Sequence, residues 1–338
     1  MSRALIIHRC GPGTTVQDMG RPGHLEQGLS VGGAADITAL HEGAALLGQP
    51  ASTAALELAS LGGIFEATAD TRIALTGAPM PATIAGDPVA WNASHMLHRG
   101  QRLTLGNATR GNYSYLHLGG GIATDLFLGS RSVHLVAHIG SPVADGDTLP
   151  LGMDAGTATG QTLDTTDRFS GATIRIIPSV QTIRFDANTL SRLETTNFTR
   201  DPRGNRMGAR MSFDGAPFAA EGQLNILSEM VVPGDIQVTG DGTPFVLLGE
   251  CQTTGGYPRI GTVIPPDIAL VAQARAGDPL QFQFITRDQA LAIHKAHLSQ
   301  LAGLPGNTRA LIRNPHDIRD LLSYQLISGA IAGTEETS

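Results

Sequence analysis

A glycine-rich turn after residue 249 combines residue types that can bind a ligand. It follows an apolar run, residues 244–248, which predicts a buried strand. The turn offers hydroxyl groups for hydrogen bonds, glycines that let the backbone approach a ligand closely, and an aromatic ring. These groups are Thr253, Thr254, Gly255, Gly256 and Tyr257. The pattern predicts either a ligand site or a tight turn between two strands.

A second group of polar side chains lies near the start of the chain. Residues 10–23 form a loop dense in Gly and Pro, and Thr15, Gln17, Asp18 and Arg21 lie on it. Loops on a rigid scaffold often carry functional groups. A local ion pair between Asp18 and Arg21 that holds the loop in place is the alternative, and the sequence leaves both open.

Arg203, Arg206 and Arg210 form a basic segment in the second half of the chain. Guanidinium groups hold phosphate or carboxylate through paired hydrogen bonds, so the segment predicts an anion site, with a solvated turn as the alternative. Ser228 and Glu229 lie just before another predicted turn between two strands. They add a hydroxyl and a carboxylate to the candidate groups.

Several motifs that would define a reaction are absent from the sequence. There is no GxxxxGK[ST] phosphate loop and no GxSxG nucleophile elbow. The spacing of His134 and His138 would place both on one face of a strand and allows a metal site, with structural or solvated histidines as the alternative. Cys251 is either a nucleophile or a buried small apolar residue, and no neighbouring base is visible.

The composition favours a turn-rich β protein, because the 338 residues include 42 glycines. This length predicts about two domains. The formal net charge of −7 argues against general nucleic-acid binding. No apolar stretch is long enough to span a bilayer, and two cysteines do not make a disulfide framework. Together these features predict a cytoplasmic, reduced protein without nucleic-acid or membrane partners.

Short strands separated by turns must position the candidate groups. The predicted strands in the first half are residues 4–7, 54–58, 72–75, 88–91, 102–105, 113–118 and 132–137. Such regular short strands predict a closed or sandwiched β structure. A helix is predicted at residues 35–47, with Asp36 as its N-cap and Gly48 as its stop. Glu57 alternates with two leucines and is expected on the exposed face, with an inward carboxylate that needs a partner as the alternative.

The composition changes along the chain in a way that predicts four segments. They are a first β domain, a linker rich in Gly, Thr and Asp, a second β domain and a helical extension, at residues 1–153, 154–172, 173–285 and 286–338. Similar turn-and-strand segments recur in both β domains, which allows two similar barrels. The extension is predicted to contain helices at residues 288–301 and 315–327, followed by a frayed tail.

Several motifs occur in a fixed order, at residues 13–23, 129–132, 206–210, 227–229, 233–238 and 252–258. In these motifs the chain resembles the family of the 5-oxoprolinase C subunit, also called the allophanate hydrolase subunit 2 or biotin-dependent carboxyltransferase family. The resemblance covers residues 4–285. It implies a mainly β fold with a few helices, made of two linked cyclophilin-like β-barrel domains. It also implies a multi-subunit complex with A and B subunits that opens 5-oxoproline to L-glutamate at the expense of ATP.

The resemblance also implies roles for individual residues. Arg206 and Arg210 would neutralise developing phosphate charge, and Glu229 would orient the substrate or handle a proton. The implied substrate- and nucleotide-binding residues are Thr15, Gln17, Asp18, Arg21, Ser228, Gln237, Gln252, Thr253, Thr254, Gly255, Gly256 and Tyr257. No metal ligand is implied, and ATP, with Mg, would be a substrate of the complex. We expect the site between the two β domains or against a B-type partner, with Arg21 and Arg210 as surface arginines that carry little stability.

The sequence departs from the family pattern at Gly32, where a serine is usual, at Ala209, where an aromatic is usual, and at Glu250 and Cys251, where Asp-Arg is usual. Two alternatives therefore stay open. One is a carboxyltransferase component that moves a carboxyl group from carboxybiotin to urea or a related amide and needs a separate biotin carrier. The other is a non-catalytic regulatory protein that binds a B-type subunit.

Overall fold

The computed structural model describes residues 3–222 and 226–312, and its first domain is built from two antiparallel sheets. The strands are β1 (Ala4–Cys10), β2 (Thr15–Gln17), β3 (Ala55–Ala59), β4 (Gly63–Ala67), β5 (Thr71–Gly77), β6 (Ala82–Ile84), β7 (Asp87–Pro88), β8 (Ala93–Leu97), β9 (Arg102–Leu105), β10 (Tyr113–Leu118), β11 (Thr148–Pro150) and β12 (Gln161–Thr162). One sheet has the order β11-β1-β4-β9-β6-β7, and the other begins β2-β3-β10-β5-β8-β12. Both contribute apolar side chains to one core, including Leu5, Phe65, Leu75 and Leu116.

Helix α1 (Ile37–Leu47) packs against β5 and β10 of the second sheet. The Asp36 carboxylate accepts a hydrogen bond from the first turn, and Gly48 ends the helix with a positive φ of 60°. Gly43 allows the close packing, because a Cβ there would lie 2.2 Å from the ring of His117 on β10. The predicted helix, its N-cap and its stop are confirmed.

The second domain is a closed barrel. Its elements are β13 (Ala172–Ile177), α2 (Ala187–Thr195), β14 (Phe198–Arg200), β15 (Gly208–Ser212), β16 (Glu229–Met230), β17 (Asp235–Val238), β18 (Pro244–Leu247), β19 (Thr254–Gly255), β20 (Arg259–Val263), α3 (Pro265–Gln273) and β21 (Pro279–Phe284). The barrel order is β13-β20-β17-β18-β15-β14-β21, and the parallel pair β13–β21 closes it. Strands β16 and β19 form a separate two-stranded sheet. Ile174, Phe198, Ile236 and Phe282 are among the side chains that fill the core.

The segment between the domains is fixed to the first domain by charge pairs. Asp154 pairs with Arg72 on β5 at 2.5 Å. Further along, the buried Arg168 pairs with Asp36 at 2.6 Å and with Glu42 at 2.7 Å. Burial opposes the charge of Arg168, but Asp36 and Glu42 outweigh it and raise the pKa of the guanidinium. These ion pairs therefore hold the segment at residues 154–172 against the first domain. The predicted domain boundaries stay predictions.

The C-terminal part returns to the first domain. Helix α4 (Arg287–Gly303) begins with a capping box, and β22 (Arg309–Ala310) extends the second sheet by pairing with β12. Leu301 of α4 is buried with Leu46 and Leu163. The predicted helix at 288–301 is confirmed, whereas the one at 315–327 lies outside the described residues. Among the described residues, no helix is long and apolar enough to cross a membrane.

The mainly β class with few helices is confirmed, but three local predictions are wrong. Residues 88–91 are not a strand, because only Asp87 and Pro88 pair, in the short hairpin β6–β7. Residues 132–137 are not a strand either, since the N–H groups of residues 135 and 136 donate to the Glu250 carboxylate. Glu57 is not on an exposed face but is fully buried, because the barrel supplies a partner for its charge.

Candidate functional site

An arginine of the barrel domain crosses the domain junction and joins two buried carboxylates. Arg206 precedes β15 and donates from Nε to Glu250 Oε1 at 2.5 Å and from Nη2 to the Gly33 carbonyl at 2.5 Å. Its Nη1 donates to Glu57 on β3. Because each of its nitrogen atoms already donates to a protein oxygen, Arg206 forms an interdomain ion cluster at the place where we predicted an anion clamp.

Ser30, His134 and Glu250 form a buried row beside this ion cluster. Ser30 Oγ lies 2.9 Å from His134 Nε2, and His134 Nδ1 lies 3.8 Å from Glu250 Oε2. The Ala137 N–H donates to Nδ1 at 3.1 Å, so the ring proton is on Nε2 and points at Ser30. Burial lowers the pKa of His134, although Glu250 opposes that effect. The row contains the residue types of a hydrolase triad, but in this tautomer the imidazole cannot take a proton from Ser30.

The predicted polar loop of the first domain is held by hydrogen bonds to residues 130–132. The Asp18 carboxylate accepts from Ser130 Oγ at 2.6 Å and from Ser132 Oγ at 2.5 Å. Thr15 and Gln17 are fully buried on β2, and the Oε1 atom of Gln17 has no hydrogen-bond partner in residues 3–222 and 226–312. Asp18 therefore anchors the loop to a neighbouring segment, and it forms no ion pair with Arg21 in the described part of the chain.

Arg21 is almost completely buried, at 1% exposure, and the expectation that it is a surface arginine is wrong. Nη2 donates to the Ser132 carbonyl and Nε to the Phe127 carbonyl at 3.4 Å, but the buried Nη1 has no partner among the described residues. Burial lowers the pKa of the guanidinium, and the nearby Asp18 and Glu250 oppose this shift. Arg21 also lines a pocket of about 390 Å³. A buried guanidinium with an unused N–H group is suited to bind an anion.

The remaining predicted binding residues are gathered around the two-stranded sheet β16–β19 in what we call the rim cluster. Its members are Ser228, Glu229, Gln237, Gln252, Thr253, Thr254, Gly255, Gly256 and Tyr257. Gln252 Nε2 donates to Gln237 Oε1 at 3.0 Å, while the buried Gln237 Nε2 has no partner within the part of the chain that the structure describes. A Cβ on Gly255 would lie 2.4 Å from that Nε2 atom. The glycine therefore leaves the backbone next to an unused amide donor.

Glu229 is the exposed carboxylate of the rim cluster. Its Oε2 atom accepts hydrogen bonds from Arg259 at 2.5 Å and from Gln181 at 2.9 Å. Its side chain is 49% exposed, and Oε1 accepts no hydrogen bond from the described residues. One carboxylate oxygen is therefore oriented by the protein while the other is available to a ligand or a proton.

Arg210 lies apart from the rim cluster, on β15. Its Nη1 donates to Asp201 at 3.0 Å, and its Nη2 donates to Asp241 and to Thr243, each at 3.1 Å. Arg203 binds the same Asp201, and these hydrogen bonds lower the pKa of that carboxyl group well below its usual range. The structure thus separates Arg206 from Arg210, which we predicted to act together.

The first-domain loop and the rim cluster approach each other at the domain junction. The Gly32 N–H donates to the Gly249 carbonyl at 2.9 Å. Gly28 faces Thr253, since a Cβ on Gly28 would lie 3.9 Å from Thr253 Oγ1. The two sets of predicted residues therefore flank one junction.

Two other sequence hypotheses concern Cys251 and a metal site. Cys251 is buried against Val231 and Leu247, and burial raises the pKa of its thiol to about 12. Its interpretation as a small apolar residue is confirmed.

Within residues 3–222 and 226–312, no group of histidine, cysteine and acidic side chains could hold a metal ion.

Ser30, Glu57 and Glu250 were not among the predicted site residues, and His134 was considered only as a metal ligand. The available signal was a carboxylate inside or directly after an apolar run, as for Glu57 and Glu250. Such a carboxylate is buried only when it has a partner. The partner, Arg206, is far away in sequence, so the pattern of one strand could not identify it.

Comparison with known proteins places this geometry in a family. Residues 27–284 match the family model described as carboxyltransferase domain, subdomain A and B. The chain is 36% identical over 296 residues to the C subunit of 5-oxoprolinase from Escherichia coli, a match that covers 85% of this chain and 93% of the relative. The protein of the same name from Haemophilus influenzae is 32% identical, covering 83% and 91%. The urea amidolyase crystal structure from K. lactis has the same fold, with a TM-score of 0.79 at 21% identity, over 92% of this chain and 21% of that one.

Proposed function

Because the chain belongs to the carboxyltransferase family with subdomains A and B, we propose that it is the C subunit of an ATP-dependent 5-oxoprolinase. The complex would open 5-oxoproline to L-glutamate in the cytoplasm. The observation that carries this proposal is the 36% identity to the Escherichia coli C subunit, along 93% of that protein. The A and B subunits would be its partners, with the B-type partner in direct contact.

Two buried nitrogen atoms that donate no hydrogen bond to the described residues indicate how this chain would bind such a substrate. Arg21 Nη1 and Gln237 Nε2 are buried donors, and 5-oxoproline carries a carboxylate and a lactam oxygen, both of which accept hydrogen bonds. In our proposal Arg21 takes the anionic group and Gln237 takes an acceptor oxygen. The uncommitted Oε1 atom of Glu229 would accept a proton or orient the attacking water.

In our proposal ATP does not bind at Arg206 or Arg210 of this chain. Arg206 and Arg210, which the resemblance assigned to phosphate, are held by Glu57, Glu250, Asp201 and Asp241. In the described ranges, no group of three or more His, Cys, Asp or Glu side chains is arranged to hold a metal ion. We therefore assign nucleotide binding and phosphate chemistry to the partner proteins, and the binding of the substrate to this chain.

The test is reconstitution of the complex from this chain and its A and B partners. We expect ATP-dependent release of glutamate from 5-oxoproline that a mixture without this chain does not show. Arg21→Ala should reduce the activity at least tenfold through KM, whereas Arg309→Ala, at an exposed ion pair with Asp164, should not. Equal rates with and without this chain would refute the proposal.

A second variant pair tests the rim cluster. Gly255→Ala places a methyl group against Gln237 Nε2 and should reduce activity, because the contact distance would be 2.4 Å. Gly240→Ala is the matched control, since a Cβ there meets nothing within 4 Å. Equal activities of the two variants would show that Gln237 has no part in binding the substrate.

Carboxyl transfer is the second candidate function, favoured by the fold shared with urea amidolyase. Under this hypothesis the same junction would accept a carboxyl group carried by biotin on another protein. Addition of avidin to the reconstituted mixture distinguishes the two functions. Avidin should abolish a biotin-dependent transfer and leave glutamate release unchanged.

A further inference from the structure

An apolar cavity of about 410 Å³ lies where the two domains meet helix α4. Its wall contains the start of α1 and the preceding loop from the first domain, together with the start of α3 from the second. Apolar side chains cover most of it, including Met19, Val31, Ile37, Pro233, Ile268 and Leu298. Cavities of this size and position commonly bind small molecules.

Three imidazole rings contribute to the wall of this cavity. His41 belongs to α1, and His294 and His297 belong to one face of α4. None of the three rings forms a hydrogen bond with another described residue, and the Nδ1 atom of His294 is shielded from solvent without a partner. Buried polar atoms without partners are rare in proteins. The convergence of three imidazole rings on one apolar cavity suits a ligand that supplies hydrogen-bonding groups.

The acidic side chains nearest to these rings are already paired. Asp267 at the start of α3 binds Arg175 at 2.5 Å. Asp36, which precedes α1, accepts from Arg168 at 2.6 Å and from Gln273 at 2.8 Å. Both carboxylates are thus engaged by other groups, although each also opposes the lowering of the pKa of His297.

We propose that this cavity binds a small monocarboxylate with an apolar body. Its carboxylate would accept hydrogen bonds from His41, His294 and His297, while its body would lie against the apolar wall. Burial lowers the pKa of His41 and of His297, and the neighbouring histidines lower that of His297 further. These shifts favour the neutral forms of His41 and His297. An anion stabilises their protonated forms, so the affinity falls as the pH rises.

The proposed substrate-binding residues Arg21, Glu229 and Gln237 are not part of the cavity wall. His294 and His297 lie beyond residue 284, where the match to the family model ends. The wall also contains Gly32 and Gly249, whose backbones are joined across the junction by a hydrogen bond of 2.9 Å. A ligand in the cavity thus contacts both domains and α4 at once, and its binding should raise the thermal midpoint of the protein.

Calorimetry with matched probes tests the chemical class of the ligand. The probes are octanoate against 1-octanol and phenylacetate against 2-phenylethanol, measured on the full chain at pH 6 and pH 8. We expect at least one carboxylate to bind tenfold more tightly than its alcohol at pH 6, with a smaller difference at pH 8. Equal affinities within both pairs, or no binding of either carboxylate, would overturn the proposal.

Variants on α4 test the position of the ligand. The double change His294→Leu and His297→Leu should weaken carboxylate binding at least tenfold and leave the affinity for the alcohol unchanged. Lys295→Ala is the matched control, because Lys295 lies on the same helix outside the cavity wall. If the double variant does not fold by circular dichroism, His41→Leu takes its place. Tight binding of Zn²⁺ alone, lost in the histidine variants while carboxylates do not bind, would identify a metal site instead.

Discussion

The ion cluster at the domain junction leads to a quantitative prediction for Arg206→Ala. The arginine side chain is 10% exposed, and its two carboxylate partners, Glu57 and Glu250, are 1% and 0% exposed. The substitution leaves both carboxylates buried without their positively charged partner. Loss of one member of a buried ion pair costs about 3–5 kcal/mol.

Other hydrogen bonds limit the loss. Glu57 still accepts from Tyr115 Oη at 2.7 Å and from the Ala35 N–H at 2.8 Å. Glu250 still accepts from the N–H groups of residues 135 and 136. We therefore expect a decrease of about 4 kcal/mol in the free energy of unfolding, near the middle of the range for buried pairs. The measurement is urea unfolding followed by fluorescence, with the unfolding slope examined for separate transitions of the two domains.

Two further variants decide whether charge is the cause. The triple change Glu57→Gln, Arg206→Met and Glu250→Gln removes all three charges and should recover at least half of the loss. Arg309→Ala breaks an exposed ion pair with Asp164 and should cost less than about 1 kcal/mol. A loss for Arg206→Ala no larger than that of Arg309→Ala, or a triple variant as unstable as the single one, would refute the reasoning.

Three other predictions concern single residues. Burial lowers the pKa of His117 from 6.5 to about 3. The free energy of unfolding should therefore be highest above pH 6.5 and fall by up to ~5 kcal/mol toward pH 3. In an acid titration, the free energy of unfolding of His117→Asn should depend less steeply on pH. Burial raises the pKa of the Cys251 thiol to about 12, so iodoacetamide at pH 8 should label it only after denaturation, as mass spectrometry would show. Gly33 has a φ of 80°, and a Cβ there would lie 2.8 Å from the Gly20 nitrogen. Gly33→Ala should therefore lower the free energy of unfolding in urea by about 2 kcal/mol. A decrease equal to that of Gly240→Ala would contradict this prediction.

The sequence determined much of the local structure by itself. Asp36 and Gly48 mark the ends of α1 because a carboxylate satisfies the first N–H groups and glycine adopts the left-handed conformation at little cost. The strand at residues 113–118 was predicted with its observed bounds. The motif between Gln252 and Tyr257 also marked the turn that forms the rim cluster. These signals are local, so a few neighbouring residues are enough to reveal them.

Only the tertiary structure decided which charges are paired and which donors remain unused. Arg206 and Arg21 are both arginines in motif segments. The first is held by carboxylates from two domains, whereas the second keeps a buried N–H group that no described residue accepts from. Glu57 alternates with leucines as an exposed residue would, and it is buried because Arg206 lies opposite it after folding. The cost of burying a charge depends on partners that are distant along the chain. The sequence pattern of a single strand or loop therefore cannot reveal it.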